Sequence, residues 1–143
     1  MAPDILSSPE IQAFATGFPI TLMHFAVTVA ILFAAAAIYV ILTPHKEITL
    51  IREGNTAAAV SLGGVLVGLA IPLAVSLKAS TTLIELALWG AATMMVQLLI
   101  FRLVDLMLRG LPKRIQDGEM AAAAMLVGAK LATALILAAA VAG

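Results

Sequence analysis

One lysine stands where a lysine is expensive. Lys130 lies inside the apolar run Glu119–Val141, about 11 residues in, or roughly 16 Å along a helix that rises 1.5 Å per residue. A charged lysine near the middle of a bilayer costs at least about 2.5–3.5 kcal/mol, so it is expected to be neutral, paired or facing water. At 100° per residue it points away from Gly128 and Ala132, onto the side of Ala123, Val127, Thr133 and Ala134. Gln97 lies at a similar depth in the run Thr82–Leu108 and offers an acceptor for the ammonium. Glu85 lies nearer one end of that run and is expected to meet Lys78. Lys130, Gln97 and Glu85 are therefore the candidate intramembrane polar site. It reads either as part of a hydrated path or anion- or partner-binding site, or as a lysine satisfied by Gln97 or backbone carbonyls.

The other reactive side chains promise less. Arg102 and Asp105 are three residues apart on one helix face, which predicts an interfacial pair of modest value. His24 and His45 lie too far apart in the chain to form a helical pair of metal ligands, and no metal site is expected. Ser61, Ser76 and Ser80 have no candidate base nearby in sequence, so no catalytic residue is assigned and enzyme is the least favoured class. No cofactor-binding motif appears. The absence of cysteine removes thiolate and disulfide chemistry together.

The elements that must carry these residues follow from composition. Hydrophobic residues make up 63% and charged residues 11% of the 143 positions, against roughly 45–50% and 25% in a soluble domain. With a mean hydropathy of +1.14, the solvent of the fold is lipid. Zero net charge and few aromatics argue against nucleic acid as a partner. Four segments reach the roughly 20 apolar residues that a helix needs to span a bilayer: about Phe18–Leu42, Thr56–Leu77, Thr82–Leu108 and Glu119–Val141. The expectation is an all-α protein of four transmembrane helices arranged as two parallel-repeat hairpins. It divides into an interfacial segment over 1–16, with a capping box at Ser7 to Glu10, a first repeat over 17–79 and a second over 80–143. With Asp4 and Glu10 but no Lys or Arg ahead of it, and with its length, the first span is not expected to be a cleaved signal. Lys46, Arg52, Arg109, Lys113 and Arg114 fall in the two hairpin connections, which predicts those connections cytoplasmic and both termini external.

An offset of 64 aligns Ile51–Ala74 with Ile115–Ala138 at ten identities in 24 positions. Half of these are alanine, so the discriminating matches are Ile51/Ile115, Gly54/Gly118, Leu62/Leu126, Gly64/Gly128 and the acidic pair Glu53/Asp117. Two hairpins repeated in this way share one orientation. Glu53, Gly54 and Asn55, with Asp117, Gly118 and Glu119, are expected to cap the second helix of each hairpin. Gly64 and Gly68, with Gly128 and Ala132, form small-xxx-small elements that let helix backbones approach, within the chain or between copies.

The run Glu47-Ile48-Thr49-Leu50-Ile51-Arg52-Glu53-Gly54-Asn55-Thr56-Ala57-Ala58-Ala59-Val60-Ser61-Leu62-Gly63-Gly64, with Arg114-Ile115-Gln116-Asp117-Gly118-Glu119, resembles the YjfL-like family of bacterial inner-membrane proteins, also called domain of unknown function 350. The resemblance runs from about Phe18 onward. It implies a small multi-pass protein of the cytoplasmic membrane with duplicated two-helix units, and its association with envelope-stress gene neighbourhoods is a pointer to such a link. It carries over no catalytic residues. The resulting expectation is a non-enzymatic membrane component in contact with lipid, a homo-oligomer or the binder of another membrane protein. The alternative is a channel or transporter subunit with a polar path at Lys130.

Overall fold

The computed structural model describes residues 4–43 and 46–143. His45 lies outside them. Among the described residues, a 3-10 turn at Ile5–Ser7 is followed by six α-helices: α1 Pro9–Leu42, α2 Glu47–Arg52, α3 Thr56–Ala79, α4 Leu83–Met107, α5 Leu111–Gln116 and α6 Met120–Ala142. α1, α3, α4 and α6 are each long and apolar enough to cross a membrane. Their outward faces carry large apolar residues such as Phe25, Phe33, Leu88, Met95 and Ile136, the surface that hydrocarbon, not water, favours. The protein is thus an all-α membrane protein with four candidate spans.

The N-cap of α1 is Ser8, not Ser7: Ser8 accepts from the Ile11 N–H, and Pro9 takes the first helical position, where its missing N–H costs nothing. Ser7 donates instead to the Asp4 carbonyl. α1 continues unbroken through Pro19 to Leu42, about 50 Å at 1.5 Å per residue. This exceeds the roughly 30 Å of hydrocarbon by several turns.

Each hairpin connection holds a short helix, α2 or α5, where the sequence reads only as loop. Both end in the same turn. Gly54 and Gly118 adopt φ of 90° and 83°, and the next N–H, of Asn55 or Glu119, reaches back to the carbonyl of Leu50 or Arg114. These left-handed positions disfavour any residue with a Cβ. The Asn55 side chain accepts from Ala58 N–H at 3.0 Å and donates to the carbonyls of Ile115 and Gln116 at 3.1 and 3.0 Å. One amide therefore caps α3 and ties the two connections together at one end of the bundle.

α3 and α6 form the most extensive helix pair. A Cβ placed on Gly64 would come within 2.6 Å of the Val127 methyls, and one on Gly68 within 2.7 Å of the Phe101 ring. The first small-residue element is therefore spent inside the chain, against α6 and α4. Gly128 and Ala132 face outward, with nothing within 4 Å of a Gly128 Cβ. They make no packing seam in this chain, because α6 turns the face of Ala123, Leu126, Lys130, Ala134 and Ala138 inward.

Candidate functional site

Lys130 is only 1% exposed. Side chains on a helix lean toward its N-terminus, and α6 starts at the hairpin end, so the Lys130 ammonium reaches about a turn toward that end. Asp105 stands two residues from the α4 C-terminus, which lies at the same end, and by the same rule leans inward. The two meet: Lys130 Nζ lies 2.9 Å from Asp105 Oδ1. The contact is more electrostatic than directional, since that oxygen accepts no aligned hydrogen bond. Lys130 donates its hydrogen bond to Tyr39 Oη at 2.7 Å. The ammonium also lies 4.8 Å from the Tyr39 ring centre and 5.5 Å from that of Phe101, within the range at which aromatic faces attract a cation. The two rings meet edge to face at 6.3 Å.

Beside this pair lies a cavity of about 170 Å³, walled by Tyr39, Thr43, Glu47, Ser61, Arg102 and Asp105 among others, with exposed Leu106 and Gln116 at its rim. Glu47, the first residue of α2, is 5% exposed, and its Oε2 has no hydrogen-bond partner. Burial pushes its carboxyl up to about 7; the Lys130 charge opposes that shift and Asp105 adds to it. Thr43 holds the approach by donating to the Tyr39 carbonyl at 2.7 Å as α1 ends.

The sequence-based candidates separate. Lys130 is at the centre, but its partners are Asp105 and Tyr39 rather than Gln97. Gln97 is fully buried on α4, one turn from Phe101, and neither its Oε1 nor its Nε2 has a partner. Each such orphan group costs about 1–3 kcal/mol. Glu85 belongs to the opposite end: its Oε2 accepts from Thr81 N–H and Oγ1 at 2.8 and 3.0 Å, and its own N–H donates to Thr82 Oγ1. It ties down Thr81 ahead of the Thr82 N-cap of α4 instead of meeting Lys78. Asp105 pairs with Lys130 and not with Arg102, so the expected interfacial Arg102–Asp105 pair is replaced by a deeper one. His24 Nδ1 lies 2.8 Å from the Ile20 carbonyl. Of the expected caps, only Asn55 acts through its side chain. Glu119 pairs with Arg114 at the surface, while Glu53 and Asp117 serve as C-caps of α2 and α5 through their backbone N–H groups.

Tyr39 and Glu47 are absent from the sequence-based site. A signal existed: Tyr39 is the only tyrosine, and it and Glu47 flank the same connection. Their distance from Lys130 along the chain hid the contact.

The geometry therefore holds one buried cation, two nearby carboxylates and a phenol at the hairpin end of a membrane bundle. A family model described as Domain of Unknown Function (DUF350) matches residues 13–141, which contain every residue of this site. The chain belongs to the DUF350 family. This DUF350 chain is 33% identical over 109 residues to the UPF0719 inner membrane protein YjfL of Escherichia coli strain K12, covering 76% of this chain and 83% of YjfL. The same values hold for the protein of that name in Escherichia coli O157:H7. No solved structure matches the chain.

Proposed function

We propose that this DUF350 chain is a non-enzymatic inner-membrane protein working through the Lys130–Asp105–Tyr39 cluster as an ion-handling site, a channel- or transporter-type role. The observation that carries the reading is a fully buried lysine paired with Asp105 beside a cavity that reaches the surface. A buried ion pair is often no more stabilising than apolar residues of the same volume, and ionisable groups inside a membrane commonly mark ion and proton pathways. The path runs inside one chain. The hairpin connections face the cytoplasm and both termini the outside, following the Lys and Arg count of the connections. Single-residue replacement tests the site: in a chain without native cysteines, Lys130→Cys is expected to react with a charged, water-soluble thiol reagent in membranes, while Leu69→Cys in the apolar core stays inert. A thiol at position 130 that never reacts would count against the site.

A second reading keeps the chain as a homo-oligomeric or partner-binding component, with the link to envelope stress that its family resemblance implies. The outward Gly128 and Ala132 favour it, since small residues on a lipid-facing helix allow close approach of another helix. Cross-linking in native membranes tests it: a strictly monomeric species, unchanged by Gly128→Leu, defeats it.

A further inference from the structure

Resting on the ion-handling reading above, we propose that the polar side chains aligned through the bundle conduct protons across the membrane, with Glu47 at the hairpin-end entrance and Gln97 as the link through the dry centre. Thr93, Gln97, Phe101 and Asp105 follow one another at four-residue steps on the inner face of α4, about 6 Å apart along its axis. Beyond Thr93 the file goes on: its hydroxyl lies 3.4 Å from Ser76 Oγ. Ser76 also lines a second cavity, of about 210 Å³, with Ser80, Glu85 and Trp89 at the end opposite the hairpin connections. Two cavities at opposite ends thus touch the two ends of this file, at Asp105 and at Ser76, and the buried Phe101 ring is the apolar step within it. Each cavity has room for several waters.

The middle of that file is where the structure is least satisfied. Gln97 is completely buried among Met94, Leu98 and Phe101, with both amide atoms free. A side chain carrying a donor and an acceptor can orient a transient water between its neighbours, which gives the orphan amide a purpose that packing does not. The identity of the ion follows from the charges. Lys130 repels a metal cation but can release one proton and take up another. An anion entering the cavity meets the Asp105 carboxylate and, when it is ionised, that of Glu47. Among the described residues, Asp105, Arg102, Tyr39 and Lys130 are the charged or titratable groups facing Glu47 from α4, α1 and α6; α3 offers only the Ser61 hydroxyl, and α5 brings no titratable group to the cavity.

The transfer balances. A hydronium ion in the hairpin-end cavity protonates Glu47 and departs as water, and that proton passes through cavity water to Asp105. Lys130 releases a proton to a transient water that carries it past the Phe101 ring to the water held by Gln97, and regains one from Asp105, so both end as they began. The water at Gln97 passes its extra proton through the Thr93 and Ser76 hydroxyls, each giving one proton as it receives another, to water at the far end.

Full-length protein reconstituted in liposomes holding a pH-sensitive dye, with a potassium gradient and valinomycin supplying the driving force, tests this. Acidification several-fold faster than in protein-free liposomes is expected, together with its loss in Gln97→Leu and its retention in Gln97→Glu. Thr93→Val interrupts the same file and serves if Gln97→Leu does not fold; it too is expected to abolish flux. Wild-type flux equal to protein-free liposomes, or undiminished flux in a folded Gln97→Leu or Thr93→Val protein, overturns the pathway. A Lys130→Cys thiol that reacts, with no proton flux in the wild type, would leave the site standing as one-sided and overturn the pathway alone.

Discussion

The two helix–turn–helix junctions of this chain share a backbone and differ in what they hold. At α2–α3 and at α5–α6 a left-handed glycine precedes the same backbone hydrogen bond to the preceding short helix. The first junction adds Asn55, whose amide caps α3 and reaches across to α5. The second adds Glu119, spent on an exposed pair with Arg114. Further along, the contrast deepens: Leu66 in α3 corresponds by the offset of 64 to Lys130 in α6. Backbone needs at a helix entrance can be met twice by the same residues, whereas a charge site needs one set of partners and is built once. The first half brings Tyr39 and Glu47 to that site; the second brings Asp105 and Lys130.

The widest difference lies between Lys130 and Leu66. Lys130→Met leaves Asp105 buried without its partner and is expected to lower stability in detergent by about 3–5 kcal/mol, whereas Leu66→Met is expected to cost under about 1.5 kcal/mol as a volume-conserving exchange. Equal losses would mean that the lysine is not paired. The Glu47 carboxyl is next. Its value in the fold stands at about 7 against 4.5 when free, so the folded state holds the proton more tightly. Its contribution to stability is full below pH 4.5 and is lost as pH rises through about 7. Glu47→Gln is expected to flatten stability across that window; an unchanged slope places the titration elsewhere.

The junction side chains sharpen the contrast. Asn55→Ala removes a cap and two cross-junction bonds and is expected to cost about 2 kcal/mol, while Glu119→Ala, which breaks an exposed pair, stays within about 0.5 kcal/mol. Gly54→Ala and Gly118→Ala should each cost about 1 kcal/mol, and equally, because the left-handed conformation is common to both. Thermal unfolding of the four variants side by side reads all of these differences.

Much of the architecture was legible in the sequence, because span length and hydropathy act locally: the four apolar helices fall within a few residues of where composition puts them, apart from the earlier start of α1 at Pro9. Lys130 announced itself as a lone charge in an apolar run. Its partners did not. A lysine leaning toward the start of its helix and an aspartate leaning away from the end of its own meet at a depth that counting residues from the interface misjudges, and Tyr39 comes from 91 residues away. The outward turn of Gly128 was equally hidden. Which face of a helix is buried depends on the neighbours it packs against, and spacing alone ranks only the candidates.

That Lys130 and Asp105 are mutual partners inside a single chain can be read from a double-mutant cycle on unfolding stability with Lys130→Met, Asp105→Leu and the double variant. Each single change strands the opposite charge, so the double variant is expected to be more stable than either single one, with a coupling of at least about 2 kcal/mol. Strictly additive losses, with the double variant the least stable of the set, would contradict it.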